Sequence, residues 1–363
     1  MHQACTSFLL SVAVAIPLAA QGEPRYAYTA AGLTADKSVA LSISNSGNVT
    51  GHMASQPFLY SHGQFHELGT LPGAIDGIGY GVNNSGQVVG YSGNQPYGHA
   101  FLYSDGAMRD LGSLGNLDSG ASGINDLGQV VGWSREGPFF RAFVYWGGVM
   151  HSLGTLPGAS VSDATAINNR GQITGAASYE PYDPYASAYE HAILYDNGVM
   201  RDLGSLGGPN SRGYAINELG EIAGASNITA GDVDVLHAFL YAGGVMRDLG
   251  APVAGTWSRA HGINNLGQVV GWYSLDHGRA FIYHRLTGMR DLSSLVDPAS
   301  GWFIHAVYSI NDRRQIVGLG CKDGQYGAVL LTPVSRGADF AAGDVQLDAA
   351  PVGVPENPPC PYG

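Results

Sequence analysis

HAFLYAGGVMRDLG, residues 237–250, is the stretch of sequence from which the fold of this chain can be derived. An apolar run, two glycines and a second short run form the pattern of a β-hairpin with a tight turn. Nearly the same letters occur as HAFLYSDGAMRDLG at 99–112 and as HAILYDNGVMRDLG at 191–204. A hairpin that recurs in this way indicates an architecture assembled from equivalent units.

A second motif lies between the hairpins and ends in glycine. It reads INDLGQVVG at 124–132, INNRGQITG at 167–175 and INNLGQVVG at 263–271, and seven copies can be aligned. The closing glycines are 39 to 49 residues apart and are Gly51, Gly90, Gly132, Gly175, Gly224, Gly271 and Gly318. Each unit therefore predicts four short strands. The first ends in IN or its equivalent, the second reads QVVG, the third AFLY and the fourth MRDLG, with small variations between units.

The turns between the AFLY and MRDLG strands have the composition that two-residue turns require. Both central positions of such a turn need a positive φ, which Gly, Asn and Asp adopt readily. The pairs found there are His62-Gly63, Asp105-Gly106, Gly147-Gly148, Asn197-Gly198 and Gly243-Gly244.

A four-stranded unit at this repeat length predicts an all-β fold, a β-propeller with one unit per blade. The first three strands occur seven times, but the MRDLG strand occurs six times, and the last unit ends at AVLLTPV, 328–334. The segment YAYTAAGL, 26–33, stands alone before the first unit. We therefore predict a seven-bladed β-propeller with four-stranded blades, whose ring is closed by the N-terminal strand 26–33 pairing with the last blade. Six blades and a degenerate unit are the alternative count.

The residue before the Ile or Val that ends the first strand is small in every unit. The innermost strands of a propeller crowd around its axis, where a large side chain would collide with its neighbours. The seven small residues are Ser42, Gly81, Gly123, Ala166, Ala215, Gly262 and Ser309.

Composition limits the class of protein and its partners. Apolar residues make up 45% of the 363 and charged residues 13%, while 54 glycines are about twice the usual share. The formal net charge is −12 and the 17 basic residues are scattered, which argues against nucleic acid and anionic membranes as partners. We expect a monomer without a cofactor, without a metal site and without a transmembrane span.

The two ends of the chain differ from the repeat region. SFLLSVAVAIPLAAQG, 7–22, contains an apolar run that has the length of a secretory signal and is too short to span a bilayer. We predict a signal peptide over 1–20, the propeller over 25–334 and an extended tail over 335–363. The protein is then secreted and extracellular, with the periplasm or the cell surface also open. A buried strand or helix is the alternative for the first segment.

Cysteine usage fits an exported protein. Cys5 would leave with the signal peptide, and Cys321 and Cys360 would remain. An even pair in an oxidising compartment can form a disulfide that ties the tail to the last blade, and two free thiols are the alternative.

The combined motifs resemble a known family. They are similar to the HAF repeat of bacterial extracellular proteins. The segments that carry the resemblance are HAF at 99–101, MRDLGSLG at 108–115 and GINDLGQVVGWS at 123–134. The resemblance extends over residues 25–334 and implies secretion and a bacterial source. It supplies no catalytic residues. Arg141, Arg279 and Gly327 depart from the leading His, and Arg314 stands in place of a turn glycine.

Polar residues that recur once per unit predict a structural role. An asparagine ends the first strand in six units, where its side chain can bond the backbone NH groups of the following turn. These asparagines are Asn83, Asn125, Asn168, Asn217, Asn264 and Asn311. In three units a His and an Asp lie on paired strands within reach of a hydrogen bond: His99 and Asp110, His191 and Asp202, His237 and Asp248. In the sixth unit Asp291 faces Arg279.

Aromatic and basic residues in the variable connections predict a binding surface. Flat rings on neighbouring loops can stack on sugars or peptides at small entropic cost. The candidate ligand-binding residues are Tyr97, Arg135, Phe139, Tyr179, Tyr182, Tyr185, Trp257, Arg259 and Trp302. The alternative is that these rings pack their own loops.

Three classes of function follow from these observations. The first is a secreted, non-enzymatic binding or scaffold module, with an extracellular carbohydrate or protein as its partner. The second is a carbohydrate-active hydrolase or lyase on the same scaffold, for which the sequence identifies no catalytic residue because no pair of carboxylates has a diagnostic spacing. The third is a structural surface repeat without a discrete ligand.

Overall fold

The structure is a computed structural model that describes residues 28–33, 37–94, 97–115, 117–179, 189–229, 232–275 and 278–334, with residues 232–234 described by their backbone alone. The predicted signal peptide, the tail and the candidate residues Tyr182 and Tyr185 lie outside the described residues. Their assignments therefore stay predictions.

The described residues form 28 strands and two short 3₁₀ helices, Leu292–Leu295 and Pro298–Ser300. The strands are β1 (Tyr28–Gly32), β2 (Ser38–Ile43), β3 (Val49–Met53), β4 (Gln56–Ser61), β5 (Gln64–Glu67), β6 (Asp76–Val82), β7 (Val88–Asn94), β8 (Tyr97–Ser104), β9 (Ala107–Asp110), β10 (Ser119–Ile124), β11 (Val130–Glu136), β12 (Phe139–Trp146), β13 (Val149–Gly154), β14 (Val161–Ile167), β15 (Ile173–Ser178), β16 (Glu190–Asp196), β17 (Val199–Asp202), β18 (Ser211–Ile216), β19 (Ile222–Thr229), β20 (Asp232–Ala242), β21 (Val245–Gly250), β22 (Ser258–Ile263), β23 (Val269–Tyr273), β24 (Arg279–His284), β25 (Gly288–Asp291), β26 (Phe303–Ile310), β27 (Ile316–Lys322) and β28 (Gln325–Pro333).

The strands assemble into seven four-stranded antiparallel blades. Blades 1 to 6 are β2–β5, β6–β9, β10–β13, β14–β17, β18–β21 and β22–β25, and blade 7 has the order β26-β27-β28-β1. The first strands of neighbouring blades contact one another around the whole ring, including β26 with β2, so they surround the axis. The chain is therefore a seven-bladed β-propeller, as the repeat count predicted, and the six-blade alternative is wrong.

The two ends of the repeat region close the ring together. β1 pairs with β28 in antiparallel register from Tyr28 opposite Pro333 to Gly32 opposite Val329. The predicted closure by residues 26–33 is confirmed, with the strand spanning Tyr28–Gly32. Tyr28 is 1% exposed and packs with Leu292, Leu295 and Leu331 in the apolar core of blade 7.

Alternating strand direction gives the disc two distinct faces. The connections from the second to the third strand, and from the fourth strand to the next blade, emerge on one side, which we call the loop face. The turns from the first to the second strand and from the third to the fourth emerge on the other side, which we call the turn face. The five predicted hairpin turns on the turn face have positive φ at both central residues, for example 50° at Asn197 and 82° at Gly198.

The closing glycine of every repeat faces a carbonyl of the first strand. A Cβ built on Gly132 would lie 2.0 Å from the Gly120 carbonyl oxygen, and one on Gly271 would lie 1.9 Å from the Arg259 carbonyl oxygen. Next to this contact the strand pairing skips one residue of the first strand, which is a β-bulge. The glycine is therefore required by the close approach of the two backbones.

The small residues of the first strand lie where innermost strands meet. A Cβ on Gly81 would lie 3.2 Å from the Cα of Gly123, and one on Gly262 would lie 3.0 Å from the Cα of Ser309. Side chains larger than a methyl or hydroxymethyl group would push neighbouring blades apart at these positions.

A belt of asparagine side chains links the blades on the turn face. Asn168 Oδ1 accepts hydrogen bonds from the backbone N of Arg170 at 3.1 Å and of Gln172 at 3.0 Å, across its own turn. Its Nδ2 donates to the carbonyl oxygen of Asn217 in the next blade at 3.0 Å. The corresponding inter-blade bonds start from Asn83, Asn125, Asn217, Asn264 and Asn311.

Blade 1 fills its place in the belt with different residues. Ser44 stands where the other blades have asparagine, and its Oγ accepts from the backbone N of Asn48 at 3.2 Å. Asn48 Nδ2 in turn donates to the carbonyl oxygen of Asn83 at 3.3 Å. The bond between blades is kept although the sequence motif is lost.

Serines at the start of the first strand link blades on the loop-face side. Ser211 Oγ accepts from the backbone N of Ala192 at 2.8 Å and donates to the Gly204 carbonyl oxygen at 2.5 Å, both in the preceding blade. Between blades 1 and 2 the serine is replaced by Gly77 and the alanine by Pro57. Because proline has no N–H, no donor is left unpaired there.

We predict that the buried ring of Tyr28 holds the closing strand in place. Tyr28→Ala should lower the free energy of unfolding by about 3–5 kcal/mol, as for other large core aromatics, measured by chemical denaturation. The Tyr28 hydroxyl is buried without a hydrogen-bond partner among the described residues. Tyr28→Phe, the matched control, should therefore be at least as stable as the wild type, and a Tyr28→Ala variant of wild-type stability would contradict the prediction.

We predict that the belt contributes to stability at each blade. Asn168→Ala leaves the buried carbonyl of Asn217 and the turn amides without their partner, which should cost about 1–3 kcal/mol of unfolding free energy. The control Asn169→Ala changes the adjacent exposed side chain and should cost less. Equal midpoints of denaturation for the two variants would show that the belt bond is dispensable.

Candidate functional site

The bulge in each first strand places one residue at the central channel. These extra residues are Leu41, Tyr80, Ser122, Thr165, Tyr214, His261 and Tyr308. All seven are at least partly exposed although they lie on the innermost strands, so they face the solvent of the channel. Their chemistry differs from blade to blade, whereas the residues around them are nearly constant.

Aromatic rings from three successive blades meet in the channel. The Tyr214 and His261 rings have centroids 4.9 Å apart, and the His261 and Tyr308 rings are 5.5 Å apart in an edge-to-face arrangement. Trp272, on the second strand of blade 6, donates from its Nε1 to His261 Nε2 at 3.0 Å. The bulge residues of blades 5 to 7 thus form a continuous wall.

The tautomer of His261 follows from this hydrogen bond. The indole nitrogen of Trp272 can only donate, so the neutral His261 ring accepts at Nε2 and carries its proton on Nδ1. Burial and the nearby charge of Arg259 lower the pKa of His261 from 6.5 to about 4. At neutral pH His261 is therefore uncharged and has an Nδ1–H that can donate a hydrogen bond.

Arg212 of blade 5 is fully paired with carboxylates. Its Nη1 lies 2.6 Å from Asp163 Oδ2 of blade 4, and its Nε and Nη2 lie 3.2 and 3.1 Å from the two carboxylate oxygens of Glu190. Burial opposes the charge, but the attraction of Asp163 and Glu190 prevails and raises the pKa of Arg212 above its ordinary value. Arg212, Asp163 and Glu190 therefore form an ion-paired cluster that links blades 4 and 5, and we call this cluster a strut.

Arg259 occupies the equivalent position in blade 6 but has no carboxylate partner among the described residues. Its guanidinium carbon lies 5.4 Å from the centroid of the Trp257 ring, a cation–π contact. Trp257 also packs edge-to-face on Trp272, with ring centroids 4.7 Å apart. The Nε of Arg259 is buried without a hydrogen-bond partner in the described part of the chain.

The predicted ligand residues are only partly brought together. Trp257 and Arg259 are in contact, and Arg259 lies in strand β22, not in a loop as the sequence pattern suggested, because the strand begins at Ser258. Trp302 packs against the apolar core of blade 7 and lies beside Gly32 and Gly320, so its ring does not join Trp257.

The remaining candidates lie on other parts of the loop-face side. Tyr97 begins β8 and is 68% exposed. Arg135 bonds Asp118 at 2.8 Å, and Phe139 lies 5.2 Å from the guanidinium of Arg141. Tyr179 donates to Asp202 Oδ2 at 3.0 Å, beside the His191 ring. The contacts of Arg135, Phe139 and Tyr179 fit the alternative in which such side chains pack their own connections, whereas the Tyr97 ring is exposed.

The sequence analysis did not identify most of the residues that line the channel. Tyr214, His261, Trp272 and Glu190 lie inside strands that belong to the repeat. For two of them, Tyr214 and His261, the signal in the sequence was the variation itself. In the aligned units the residue two places before the terminal Ile or Val changes from Leu to Tyr, Ser, Thr and His. The residue after it is always Gly, Ala or Ser, and the residue before it is Gly or Ala in six of the seven units.

The recurring His and Asp residues form one arrangement in three blades. His Nδ1 lies 2.8 to 2.9 Å from the carboxylate, and the same aspartate accepts from a glycine N two residues later at 2.7 Å. In blade 6 Asp291 accepts from the Tyr273 hydroxyl at 2.6 Å, and Arg279 Nη1 lies 3.6 Å from it. Because the pairs bridge the third and fourth strands of each blade, they fasten the outer hairpin.

The turn face has a recess of about 160 Å³ at its centre. A ring of seven polar side chains surrounds it: Asn45, Asn84, Asp126, Asn169, Glu218, Asn265 and Asp312. These side chains bond their neighbours around the ring, for example Asn265 Nδ2 to Asp312 Oδ2 at 2.7 Å and Asn169 Nδ2 to Asp126 Oδ2 at 3.1 Å. Their polar atoms are thus largely occupied by one another, unlike those at Arg259.

Three observations bear on the remaining sequence predictions. Cys321 is buried and disulfide-bonded, while Cys5 and Cys360 lie outside the described residues, so the pairing with Cys360 stays a prediction. Within the described ranges no helix has the length and apolar character for a membrane span. The same ranges contain no cluster of three or more His, Cys, Asp or Glu residues suited to a metal ion.

Comparison with known proteins shows the fold. No family model and no curated protein sequence matches this chain. The β-propeller domain of the Trilobed protease from Pyrococcus furiosus is similar over 85% of this chain and 94% of that chain, with 9% identity and a TM-score of 0.51. A puromycin-hydrolysing peptidase from Mycobacterium tuberculosis is similar over 80% of this chain and 48% of that chain, with 15% identity and a TM-score of 0.51. At these identities the similarity establishes that the chain is a β-propeller and does not extend to activity.

We predict a pH-dependent contribution of His261 to stability. As the pH falls from 6.5 towards 4, the unfolded chain binds a proton at this histidine and the folded protein does not. The wild type should therefore lose up to about 3 kcal/mol of unfolding free energy from this group over that range.

The measurement is denaturant unfolding of wild type and His261→Gln between pH 4 and 8. The difference between the two proteins should be constant above pH 7 and should shrink as the pH falls. Parallel curves down to pH 4 would contradict the burial of a neutral histidine.

Proposed function

We propose that this protein is a secreted binding module that holds a carbohydrate at the loop-face mouth of its channel. The observation that carries the proposal is the convergence of Trp257, Arg259, Tyr214 and His261 from two adjacent blades. Secretion is supported by the apolar segment within 1–20 and by the resemblance to HAF repeats of extracellular proteins. Both supports come from the sequence.

The chemistry of the mouth matches a sugar. Trp257 and Trp272 offer aromatic surface, and the His261 Nδ1–H and the Tyr214 hydroxyl offer donors that have no partner among the described residues. Carbohydrates combine apolar C–H faces with hydroxyl groups, so they use rings and hydrogen-bonding groups together. The groups are also held rigidly, since His261 is fixed by Trp272 and Trp257 by its edge contact with the same indole. Little ordering is then required on binding.

The enzymatic alternative has one point in its favour. Asp163 and Glu190 are two carboxylates at one mouth, which is the residue pair that glycoside hydrolysis uses. Both are hydrogen-bonded to the same guanidinium of Arg212, which assigns them to a structural strut in the observed arrangement. A binding role therefore accounts for the geometry with fewer rearrangements.

We predict that saccharide binding depends on Trp257. Purified protein screened on a glycan array and then titrated by calorimetry should bind at least one saccharide class, and Trp257→Ala should weaken that binding about 10-fold or more. Trp146→Ala is the matched control, because Trp146 is 56% exposed on the turn face.

Three outcomes decide between the function classes. Binding that is lost in Trp257→Ala and kept in Trp146→Ala supports the proposal. Absence of binding to every saccharide, or equal binding by both variants, contradicts it. Release of new reducing ends or unsaturated products from a bound saccharide would establish the enzymatic alternative.

A further inference from the structure

Two arginines of this propeller occupy the same place in the repeat with opposite surroundings. Arg212 and Arg259 each follow the serine that begins the first strand, in blades 5 and 6. Asp163 holds that place in blade 4 and reaches Arg212 at 2.6 Å. For Arg259 in blade 6, the residue at the equivalent position of the preceding blade is Arg212. The preceding blade therefore has a carboxylate at this position for Arg212 but a guanidinium for Arg259.

The second carboxylate of the Arg212 cluster also has no counterpart at Arg259. Glu190 begins the third strand of blade 4, directly before the repeated His191. The residue before the equivalent His237 in blade 5 is Leu236. Neither carboxylate that pairs with Arg212 thus has a counterpart at Arg259, which has no carboxylate partner among the described residues. Its contact with Trp257 orients the guanidinium without neutralising it.

Two uncharged donors, on His261 and Tyr214, are close enough to feel the charge of Arg259. Burial has the largest effect on both groups, since it lowers the pKa of His261 and raises that of Tyr214. The charge of Arg259 lowers the pKa of His261 further and, after that of Arg212, opposes the rise at Tyr214, while Glu190 and Asp163 add to that rise. The His261 Nδ1–H and the Tyr214 hydroxyl have no acceptor among the described residues, and their rings are 4.9 Å apart. A guanidinium fork beside two neutral donors is a receptor for a planar group with two acceptor oxygens.

We infer that the ligand of this site carries a carboxylate, and that Arg259 binds it with His261 and Tyr214, so that the saccharide is an acidic one of the uronic acid class. The inference rests on the proposed function and identifies its substrate class. The net charge of −12 repels long polyanions, so the site should prefer a short acidic oligosaccharide or a chain end.

The test compares one saccharide with and without its charge. Trigalacturonate and its methyl ester are titrated calorimetrically into the full-length wild-type protein, and the acid should bind roughly 10- to 100-fold more tightly, as expected for charge-assisted hydrogen bonds. Arg259→Gln should remove this preference. Arg259→Lys should restore part of it, because lysine keeps the charge and loses the fork.

The matched control is Arg247→Gln, which removes the same charge from an exposed position on the outer strand β21. It should leave the preference for the acid unchanged, which excludes an effect of net charge. Thermal denaturation of each variant verifies that the propeller is folded.

The outcomes separate this inference from the proposed function. Equal binding of the acid and its ester, with no effect of Arg259→Gln, overturns the carboxylate inference and leaves a saccharide-binding module in place. Arg259-dependent binding of oligoglutamate in preference to trigalacturonate overturns the saccharide class and assigns the site to acidic peptides. Absence of binding to the acid, the ester and every arrayed saccharide overturns both.

Discussion

The architecture depends on a contact that leaves no room for a side chain. In every blade the closing glycine of the second strand lies against a carbonyl group of the first strand, and a Cβ there would be 1.8 to 2.1 Å from the oxygen. Such a distance is far inside van der Waals contact, so only glycine permits the pairing. The same approach accompanies the β-bulge, which turns one residue of each innermost strand into the channel. The glycine that the fold cannot change and the residue that faces the channel are thus consequences of one local geometry.

The remaining repeated residues join these units into a ring. The asparagine belt bonds each turn to the next blade, and β1 completes blade 7 by pairing with β28. Blade 1 retains its belt bond through Ser44 and Asn48, which shows that the hydrogen bond and not the motif is the constraint. A similar compensation occurs between blades 1 and 2. Pro57 removes the backbone N–H that would donate, and Gly77 removes the serine hydroxyl that would accept. Residues that hold blades together are in this way separated from residues that line the channel.

This separation explains what the sequence could predict. The blade count, the five hairpin turns and the closure by the N-terminal strand follow from residues that recur, because recurrence reports a constraint shared by all blades. The bulge could not be predicted from the sequence. A bulge is an extra residue relative to the partner strand, so it becomes visible only when the pairing of the two strands is known. Arg259 was therefore placed in a loop, and His261 and Tyr214 were absorbed into a strand pattern. Aromatic residues in the connections were a weaker guide, as Trp302 and Tyr179 show, because a loop packs its own rings to remain ordered.

The chain carries an overall charge of −12, yet a single cation can decide the chemistry of its channel. Two unit charges about 4 Å apart in a partly buried site interact by about 4 kcal/mol, at an effective dielectric constant of about 20. The surface carboxylates lie in water and are screened beyond about 8 Å at physiological ionic strength. A short anionic ligand at Arg259 would therefore experience the guanidinium more strongly than the distant negative surface. Arg212 demonstrates the converse, because two carboxylates at hydrogen-bonding distance convert an identical side chain into a strut. Whether an arginine in this ring is tied into the scaffold or left open to a ligand thus depends on the two positions that the preceding blade places beside it, and repeats accommodate such changes without altering the fold.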